Sequence, residues 1–395
     1  MTNHSDHVRL DPFADPAAIT GIRAGVRDIC ARFPEAYWRE LDVQRQYPVA
    51  FVQAMTEAGW LAALIPTRYG GLGHGISEAA VILEEVNRQG GNAGPAHAQM
   101  YIMGTLLKYG SPELQARYLP AIADGRLRLQ AFGVTEPEAG TDTTRITTTA
   151  VRDGDRYLIN GEKIYISRVQ HSDLMLLLAR TSPRDDAKPT AGLSVFLVDL
   201  RQAGGAITLR PLRMLMNNET NGVTIRDLSV PLENLIGVEG EGFRQILDGW
   251  NAERILIAAE CVGDGRWFVD RATAYATGRV VFGRPIGANQ GIQFPIAAAY
   301  ARVEAADLVR RRAAASFDAG LPCGPDANMA KYLAAEASWE AANACLDTFG
   351  GNGFNAAYDV ERKFRETRLY RVAPVSNNLV LAYIGHRVLG MPRSY

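Results

Sequence analysis

Apolar residues in the first third of the chain recur at the three- and four-residue spacing of amphipathic helices. Three segments have this spacing, residues 48–62, 76–88 and 98–109. Ser77 and Ser111 stand where N-cap residues belong, and Pro112 suits the first helical position. The pattern predicts a helical amino-terminal third, whose last short helix begins after Ser111 and ends near Gly125.

The pattern changes between residues 129 and 235, where short runs rich in β-branched and aromatic residues alternate with turn residues. Asp153-Gly154 separates two such runs and predicts a β-hairpin, and Asn160-Gly161 predicts a second hairpin. We therefore expect a central sheet or barrel.

The helical period returns after Pro231. It covers four segments, residues 243–276, 293–317, 328–349 and 376–389. The order of helices, strands and helices indicates an α+β protein of several domains. The expected domains are residues 1–128, 129–235 and 236–395.

Composition indicates an ordinary globular protein, since 47% of its 395 residues are hydrophobic, enough to bury a large core. Its 42 basic and 43 acidic residues nearly balance, which gives no sign of a nucleic-acid partner. The four cysteines are far apart and form no CxxC pair, so we expect reduced core thiols and no metal site. They are Cys30, Cys261, Cys323 and Cys345.

The amino-terminal segment, residues 1–20, is polar and acidic and lacks the basic start and apolar run of a signal peptide. The longest strongly apolar stretches, such as residues 174–179, are far shorter than the roughly 20 residues that cross a bilayer. These features predict a cytoplasmic protein without membrane insertion.

The strongest local motif is FGVTEPEAGTD, residues 132–142, at the entrance to the β region. It resembles the T-E-P-x-A-G-[ST]-D loop with which acyl-CoA dehydrogenases hold their flavin; the alternative is a polar turn around Pro137. A reduced flavin gains negative charge at O2 and N1, and preorganised N–H groups and hydroxyls stabilise that charge. The resemblance implies FAD contacts by Phe132, Val134, Thr135, Gly140 and Thr141, with Thr141 on the substrate side.

A second segment, NGEKIYIS at residues 160–167, is similar to the family's N-G-x-K-x-[WY]-[IT]-[ST] strand, which packs on the flavin. The resemblance implies FAD contacts by Tyr165 and Ser167, and a tyrosine ring offers the flavin a flat apolar face. A half-buried strand aromatic would explain Tyr165 equally well.

Residues 278–286, GRVVFGRPI, resemble the family's R-x-x-F-G-x-x-[IL] signature, which a glutamine follows. In relatives these residues reach the FAD of a neighbouring subunit, which implies this role for Arg279, Phe282 and Gln290. A guanidinium suits a pyrophosphate because it makes paired charge-assisted hydrogen bonds. A solvent-exposed or helix-capping arginine is the alternative for Arg279.

Residues 349–354, FGGNGF, match the family's G-G-x-G loop, where backbone close to the adenine half of FAD leaves no room for side chains. This match implies FAD contacts by Gly350 and Gly351. Asp347 stands where the family commonly has glutamine, so the match does not extend to it. Residues 70–75, GGLGHG, lack the preceding strand and the spacing of a Rossmann loop.

Dehydrogenation of an acyl thioester needs a carboxylate that takes the α-proton. Ile246, Trp250, Glu253 and Ile257 recur at spacings of four, three and four, which places Glu253 on the apolar stripe of its helix. Burial there would raise the pKa of Glu253 towards neutrality and improve it as a general base. A core glutamate neutralised by an arginine is the alternative.

Many relatives carry the base near the carboxyl terminus, at the position that Pro374 occupies here. A minority, the isovaleryl-CoA-type and long-chain-type enzymes, carry it in a helical E-R dipeptide that matches Glu253-Arg254. The resemblance implies Glu253 as the base and Arg254 as a coenzyme A contact, with a surface ion pair as the alternative for Arg254. Pro374 has no N–H with which to polarise the thioester carbonyl. Three alternatives remain open: polarisation by a ribityl hydroxyl of FAD, polarisation by the N–H of Val375, or a different chemistry.

The resemblance covers essentially the whole chain and implies an N-terminal α-helical domain, a central β-barrel and a C-terminal four-helix bundle. It also implies a homotetramer with FAD between barrel and bundle, and an electron-transfer flavoprotein as electron acceptor. The expected reaction is α,β-dehydrogenation of an acyl-CoA with a branched, cyclic or longer acyl group. Two alternatives stay open: another flavin reaction on this fold (desulfinase, oxidase or N-hydroxylase type), and a non-catalytic subunit of a mixed tetramer.

Overall fold

The computed structural model describes residues 16–394, so most of the segment on which the signal-peptide prediction rests lies outside the described residues. Helices precede and follow a central sheet, as predicted. They are α1 (Pro16–Cys30), α2 (Glu35–Gln44), α3 (Val49–Glu57), α4 (Ile76–Arg88), α5 (Gly94–Tyr109), α6 (Pro112–Ala123), α7 (Gly242–Gly278), α8 (Gln290–Asp318), α9 (Gly324–Phe349), α10 (Val360–Arg368) and α11 (Asn377–Tyr383).

The central β domain is an eight-stranded sheet. Its strands are β1 (Leu129–Gly133), β2 (Thr149–Asp153), β3 (Arg156–Ser167), β4 (Leu174–Arg180), β5 (Leu193–Asp199), β6 (Ile207–Pro211), β7 (Thr220–Pro231) and β8 (Leu235–Ile236). The hydrogen-bonded order is β6-β7-β3-β2-β4-β5-β8, and β1 pairs in parallel with β4. A separate hairpin, β9 (Val280–Val281) and β10 (Arg284–Pro285), follows α7.

The two predicted serine caps have different outcomes. Ser111 caps α6 as predicted, because its Oγ accepts from the backbone N–H of Leu114 at 3.1 Å. The prediction for Ser77 was wrong: the carboxylate of Asp318, at the end of α8, accepts from the N–H groups of Ile76 at 2.7 Å and Ser77 at 2.9 Å. A carboxylate satisfies free N–H groups at a helix amino terminus and complements the helix dipole. The capping group of α4 thus comes from a distant part of the chain.

The two predicted hairpins also differ. Asp153-Gly154 joins β2 to β3 as predicted. Asn160-Gly161 was wrongly predicted to form a turn, since both residues lie inside β3. One residue of β3, Asn160, faces two of β7 there, Arg226 and Asp227, in a β-bulge where Asp227 has a φ of 47°. The Asn160 side chain accepts from the N–H of Asp227 at 2.8 Å, so the Asn-Gly pair marks a bulge.

The three long helices α7, α8 and α9 pack against one another, and α10 and α11 pack on α9, which confirms a carboxyl-terminal bundle. One apolar cluster joins side chains of α1, α3 and α4 with those of α7, α8 and α9. The first and last parts of the chain therefore share a core, and the exact domain boundaries stay a prediction. Helix α5 contacts both α7 and β1, and the candidate site lies where these three elements meet.

All four cysteines are buried and free, as predicted. Burial raises the pKa of the Cys30 and Cys345 thiols to about 12, so they stay protonated at neutral pH. Within residues 16–394, no helix combines the length and the apolarity that a membrane crossing requires.

Candidate functional site

The first two flavin-motif segments lie side by side. Segment 132–142 begins with the last two residues of β1, and segment 160–167 forms the last eight residues of β3. The N–H of Ile164 donates to the carbonyl of Thr135 at 2.9 Å. Folding thus brings both segments next to each other.

A buried ion pair holds these segments together. Nζ of Lys163 lies 2.9 Å from Oε1 of Glu136 and donates to the carbonyl of Val134 at 3.1 Å. Glu136 also accepts from the N–H groups of Thr147 and Thr148, at 2.6 and 2.9 Å. Sequence reasoning missed this pair, although each partner is a fixed position of one motif.

Both partners of this pair are charged at neutral pH. Burial alone would raise the pKa of Glu136, but the charge of Lys163 and the hydrogen bonds to the carboxylate outweigh it and lower the pKa to about 2. Burial lowers the pKa of Lys163 to about 8, against the raising effect of Glu136. The pair therefore needs both members, because either one alone would be a buried charge without compensation.

The predicted flavin contacts of these segments differ in exposure. Half-buried are Phe132, Val134, Thr135 and Ser167; exposed are Gly140, Thr141 and Tyr165. Tyr165 is 57% exposed and has a φ of 60°, so it does not fit the alternative of a half-buried strand aromatic. A tyrosine in the left-handed region is uncommon, and such residues concentrate at functional sites.

Glu253 lies in α7 and is 6% exposed. Within residues 16–394, its carboxylate has neither an ion-pair partner nor a hydrogen-bond donor. Burial raises its pKa to about 7, although the charges of His97 and Arg254 act from a distance to lower it. The alternative, a core glutamate neutralised by contact with an arginine, therefore does not describe Glu253.

Tyr101 of α5 connects Glu253 with the first flavin-motif segment. Its ring centroid lies 6.1 Å from that of Phe132 and 5.1 Å from that of His97. Burial raises the pKa of Tyr101 well above its ordinary value, and the charge of Glu253 raises it further. Trp250, one turn before Glu253, packs on the same apolar cluster as Phe132. The carboxylate and the flavin motif thus border one apolar region.

A buried polar network that sequence reasoning missed lies further along α7. Nδ1 of His97 is 2.6 Å from Oε1 of Glu260, and the Tyr370 hydroxyl donates to Oε2 of Glu260 at 3.0 Å. Nε2 of His97 is buried and has no hydrogen-bond partner in the described part of the chain. The available signal was the seven-residue spacing of Glu253 and Glu260, which places both on one face of a helix.

Arg254 follows Glu253 and is only partly exposed. Its Nη1 donates to Oδ1 of Asn251 at 3.3 Å, and its Nε is buried with no acceptor among residues 16–394. Burial lowers the pKa of Arg254, and the charge of Glu253 opposes this effect. The alternative of a surface ion pair does not fit, because no carboxylate of the described chain pairs with it.

The turn with Pro374 lies between α10 and α11. The carbonyl of Val375 accepts from Nζ of Lys331 at 2.6 Å, whereas the N–H of Val375 donates to no group among the residues described. The N–H of Val375 is therefore free to polarise the thioester carbonyl, which is one of the alternatives that the sequence leaves open.

The third and fourth motifs meet at the far end of α7, through a tyrosine that sequence reasoning missed. The N–H of Arg279 donates to the carbonyl of Tyr275 at 2.8 Å. The Tyr275 ring stacks on Phe349 with centroids 4.0 Å apart, and its hydroxyl accepts from Nδ2 of Asn352 at 2.9 Å. Nothing in the sequence distinguishes Tyr275 from other helical aromatics.

The predicted FAD contacts of these two motifs are all exposed: Arg279, Phe282, Gln290, Gly350 and Gly351. Phe282 is fully exposed at the turn of the β9–β10 hairpin, with a φ of 51°. Helix α7 continues 25 residues beyond Glu253, roughly 38 Å at 1.5 Å per residue. One chain therefore presents two separate groups of predicted contacts, one near Glu253 and one at the far end of α7.

Known proteins match almost the whole chain. The family models for the N-terminal, middle and C-terminal domains of acyl-CoA dehydrogenase match residues 18–126, 131–229 and 240–389. The chain is 34% identical over 377 residues to the acyl-CoA dehydrogenase FadE12 of Mycobacterium tuberculosis, covering 95% of this chain and 96% of that protein. It is 35% identical over 350 residues to the glutaryl-CoA dehydrogenase of Desulfococcus multivorans, covering 87% and 89%.

The structural comparison agrees with these matches. A solved glutaryl-coenzyme A dehydrogenase in complex with glutaryl-CoA has a TM-score of 0.88 and 31% identity to this chain, and the match covers 95% of this chain and 96% of that one. The three domain matches and these relatives show that the chain belongs to the acyl-CoA dehydrogenase family of flavin-dependent oxidoreductases.

Proposed function

We propose that this chain catalyses the FAD-dependent α,β-dehydrogenation of an acyl-CoA thioester to the 2-enoyl-CoA, with Glu253 as the base. The observation that carries the proposal is a buried carboxylate with a pKa of about 7 and no ion-pair partner among the described residues, which Tyr101 connects with the first flavin-motif segment. An unpaired buried carboxylate is costly unless it is used, and a general base works best when its pKa lies near the operating pH.

In this reaction, Glu253 takes the proton from the α-carbon onto its carboxylate. Burial of the Glu253 side chain limits the access of water, so the carboxylate is not stabilised by hydration and stays basic. Bound FAD supplies the hydride acceptor, at N5. Thr135, Thr141 and the backbone of segment 132–142 orient the substrate and the cofactor, and Arg254 contacts coenzyme A.

The residues present fit FAD. A Cβ built on Gly140 or Gly351 would meet no atom of this chain within 4 Å, and the same holds for Gly350. Packing inside the chain therefore does not require glycine at Gly140 or Gly351. A cofactor that approaches the backbone closely does require it.

We infer that a second copy of the chain completes each FAD site, in a homotetramer. The second group of contacts lies at the end of α7, 25 residues and roughly 38 Å beyond Glu253, whereas the first group lies near Glu253, so the two groups do not surround one site of a single chain. A fully exposed phenylalanine with left-handed backbone at a hairpin turn is unfavourable in a lone chain and is explained by insertion into a neighbouring copy. An electron-transfer flavoprotein is the proposed electron acceptor.

Phe282→Ala is expected to lower FAD content and to shift the assembly towards smaller species. Burying a phenylalanine side chain stabilises a contact by about 1.5–3 kcal/mol. The alanine variant loses this stabilisation at each proposed contact between two copies of the chain. Light scattering after size exclusion, with the ratio of flavin to protein absorbance, measures both effects. Leu215→Ala is the matched control, since Leu215 is also exposed but lies outside the motifs. A variant with full flavin and unchanged mass would contradict the inference.

The proposed function is tested by the visible spectrum of the purified protein during anaerobic addition of an acyl-CoA panel. Bleaching of the oxidised-flavin band is the expected result, with 2-enoyl-CoA as the product by mass spectrometry. A yellow protein that no thioester bleaches would favour another flavin reaction. A colourless protein that gains flavin only with a second chain would favour the subunit of a mixed tetramer.

The rate of flavin reduction is expected to rise with pH and to level off above about pH 7. Only ionised Glu253 accepts the proton, and its pKa of about 7 means that the ionised fraction falls about tenfold per pH unit below that value. Single-turnover reduction followed from about pH 5.5 to 8.5 measures this profile. A flat profile, or one that falls with pH, would exclude Glu253 as the titrating base.

A further inference from the structure

Helix α5 runs antiparallel to α7, and its side chains meet those of α7 in a regular order. Near the amino end of α5, Nδ1 of His97 lies 2.6 Å from Oε1 of Glu260. At the carboxyl end of α5, the Tyr109 hydroxyl donates to the carboxylate of Asp248. The residue number thus rises along α5 while that of the contacted residue falls along α7. The stretch of α7 between these two contacts contains Glu253.

Glu253 and Glu260 lie on the same face of α7, since seven residues are close to two helical turns, and the rise between them is roughly 10 Å. Both side chains are buried. His97 and Tyr101, four residues apart on α5, share one face of that helix, with ring centroids 5.1 Å apart. Of these four side chains, His97 is the one that can carry a positive charge.

The contact with Glu260 fixes the imidazole of His97. The second carboxylate oxygen, Oε2 of Glu260, accepts from the Tyr370 hydroxyl at 3.0 Å. Nδ2 of Asn87 donates to that hydroxyl at 3.1 Å and to the backbone carbonyl of Glu260 at 3.2 Å. An imidazole and a carboxylate form an ion pair when the ring is protonated. The hydrogen bonds to Glu260 therefore hold it in place as the countercharge of His97.

Other charged groups act on Glu253 from α7 and α9. Burial raises the pKa of Glu253 to about 7. The charges of His97, Arg254 and Lys331 oppose this effect and lower the pKa, with His97 acting most strongly. The charge of Glu260 acts in the opposite direction and raises the pKa of Glu253. His97 and its own partner Glu260 thus have opposite effects on the same carboxylate.

The remaining titratable groups around Glu260 do not replace His97 as its countercharge. Asp264 lies 2.6 Å from Nζ of Lys363, and Glu366 lies 3.1 Å from the same nitrogen. Burial raises the pKa of Cys261 and of Tyr370 well above their ordinary values, so both stay protonated at neutral pH. Within residues 16–394, His97 is the basic side chain in contact with Glu260.

We propose that His97 is a positioning residue for Glu253: it carries a positive charge that Glu260 holds in place, and this charge keeps the Glu253 carboxylate ionised. The inference rests on the proposed function, because ionised Glu253 is the proposed base. Without His97, Glu260 would be a second negative charge roughly 10 Å along the helix from Glu253 and would oppose its ionisation.

His97→Gln tests this role, because the amide still offers Glu260 a donor but carries no charge. We expect the midpoint of the pH profile of flavin reduction to rise by about one pH unit, with an unchanged rate at the high-pH plateau and unchanged FAD content. At pH 7 the rate is then about fivefold lower, since the ionised fraction of Glu253 falls. Single-turnover reduction from about pH 5.5 to 9.5 measures the profile. An unchanged midpoint would overturn the inference.

Two further variants distinguish charge from packing. His97→Gln/Glu260→Gln removes both charges, so its midpoint is expected to return to that of the parent; a midpoint that stays raised would overturn the inference. Tyr370→Phe is the matched control, because it removes a hydrogen bond to Glu260 and keeps both charges, and we expect the parent midpoint. His97→Asn, also neutral, takes the place of His97→Gln if that variant does not fold.

Infrared spectroscopy measures the protonation of Glu253 without turnover. The carboxylic-acid C=O band that Glu253→Gln lacks is followed against pH in the parent and in His97→Gln. We expect this band to persist to a pH about one unit higher in His97→Gln. Equal titration curves would overturn the inference and leave the proposed function intact. If no thioester of the panel reduces the flavin, the proposed function fails, while the infrared titration still decides whether His97 acts on Glu253.

Discussion

Glu253→Gln is expected to bind FAD and thioester normally and to lose flavin reduction by at least about a thousandfold. The substitution keeps the shape of the side chain but removes the carboxylate proposed to accept the α-proton, and general-base catalysis contributes roughly 10²–10⁴-fold. Stopped-flow reduction with the best acyl-CoA of the panel measures the rate, and a thioester titration followed by the flavin spectrum measures binding.

Asp270→Asn is the matched control for this variant. Asp270 lies on the same helix but is exposed and only loosely paired, with its Oδ2 3.8 Å from Nη2 of Arg88. We expect unchanged reduction rates for Asp270→Asn. A Glu253→Gln enzyme that still reduces its flavin at close to the normal rate would remove Glu253 from the mechanism.

Lys163→Met is expected to destabilise the protein by about 3–5 kcal/mol and to lose FAD. The substitution leaves the carboxylate of Glu136 charged and buried without its partner, and a broken buried ion pair costs about this much. It also removes the hydrogen bond from Nζ to the carbonyl of Val134, which ties the two flavin-motif segments together. Thermal unfolding and flavin content measure the two effects.

The double variant Glu136→Gln/Lys163→Met distinguishes two effects of Lys163→Met: the unpaired buried charge of Glu136 and the lost hydrogen bond from Lys163 to Val134. It removes both charges, so we expect it to recover much of the stability that Lys163→Met loses. If flavin content recovers as well, the ion pair is not itself required for cofactor binding. A Lys163→Met protein as stable as the parent would show that Glu136 finds another partner or takes up a proton.

Much of the fold could be predicted because its determinants are local. The three- and four-residue spacing of apolar residues predicted the helices, and runs of β-branched residues separated by turn residues predicted the sheet region. The cap at Ser111 was predictable since donor and acceptor lie within four residues. The cap of α4 was not predictable, because its capping residue, Asp318, lies at the distant end of α8.

The same distinction between local and distant determinants applies to the candidate site. Short motifs predicted the flavin-contact segments, and helical spacing placed Glu253 on an apolar face. The pairs Lys163–Glu136 and His97–Glu260 join residues of different elements. No spacing along the chain encodes such contacts.

The sequence by itself determined the order of the elements, the family resemblance and the base candidate, because these follow from local periodicity and short motifs. Only the tertiary structure decided how strongly Glu253 is desolvated, which charges act on it and which donors lack partners. Burial and distance depend on the packing of α5, α7 and β1, which lie far apart in the chain. A pKa of about 7 is therefore a property of the folded protein, and the sequence shows only that such a value is expected.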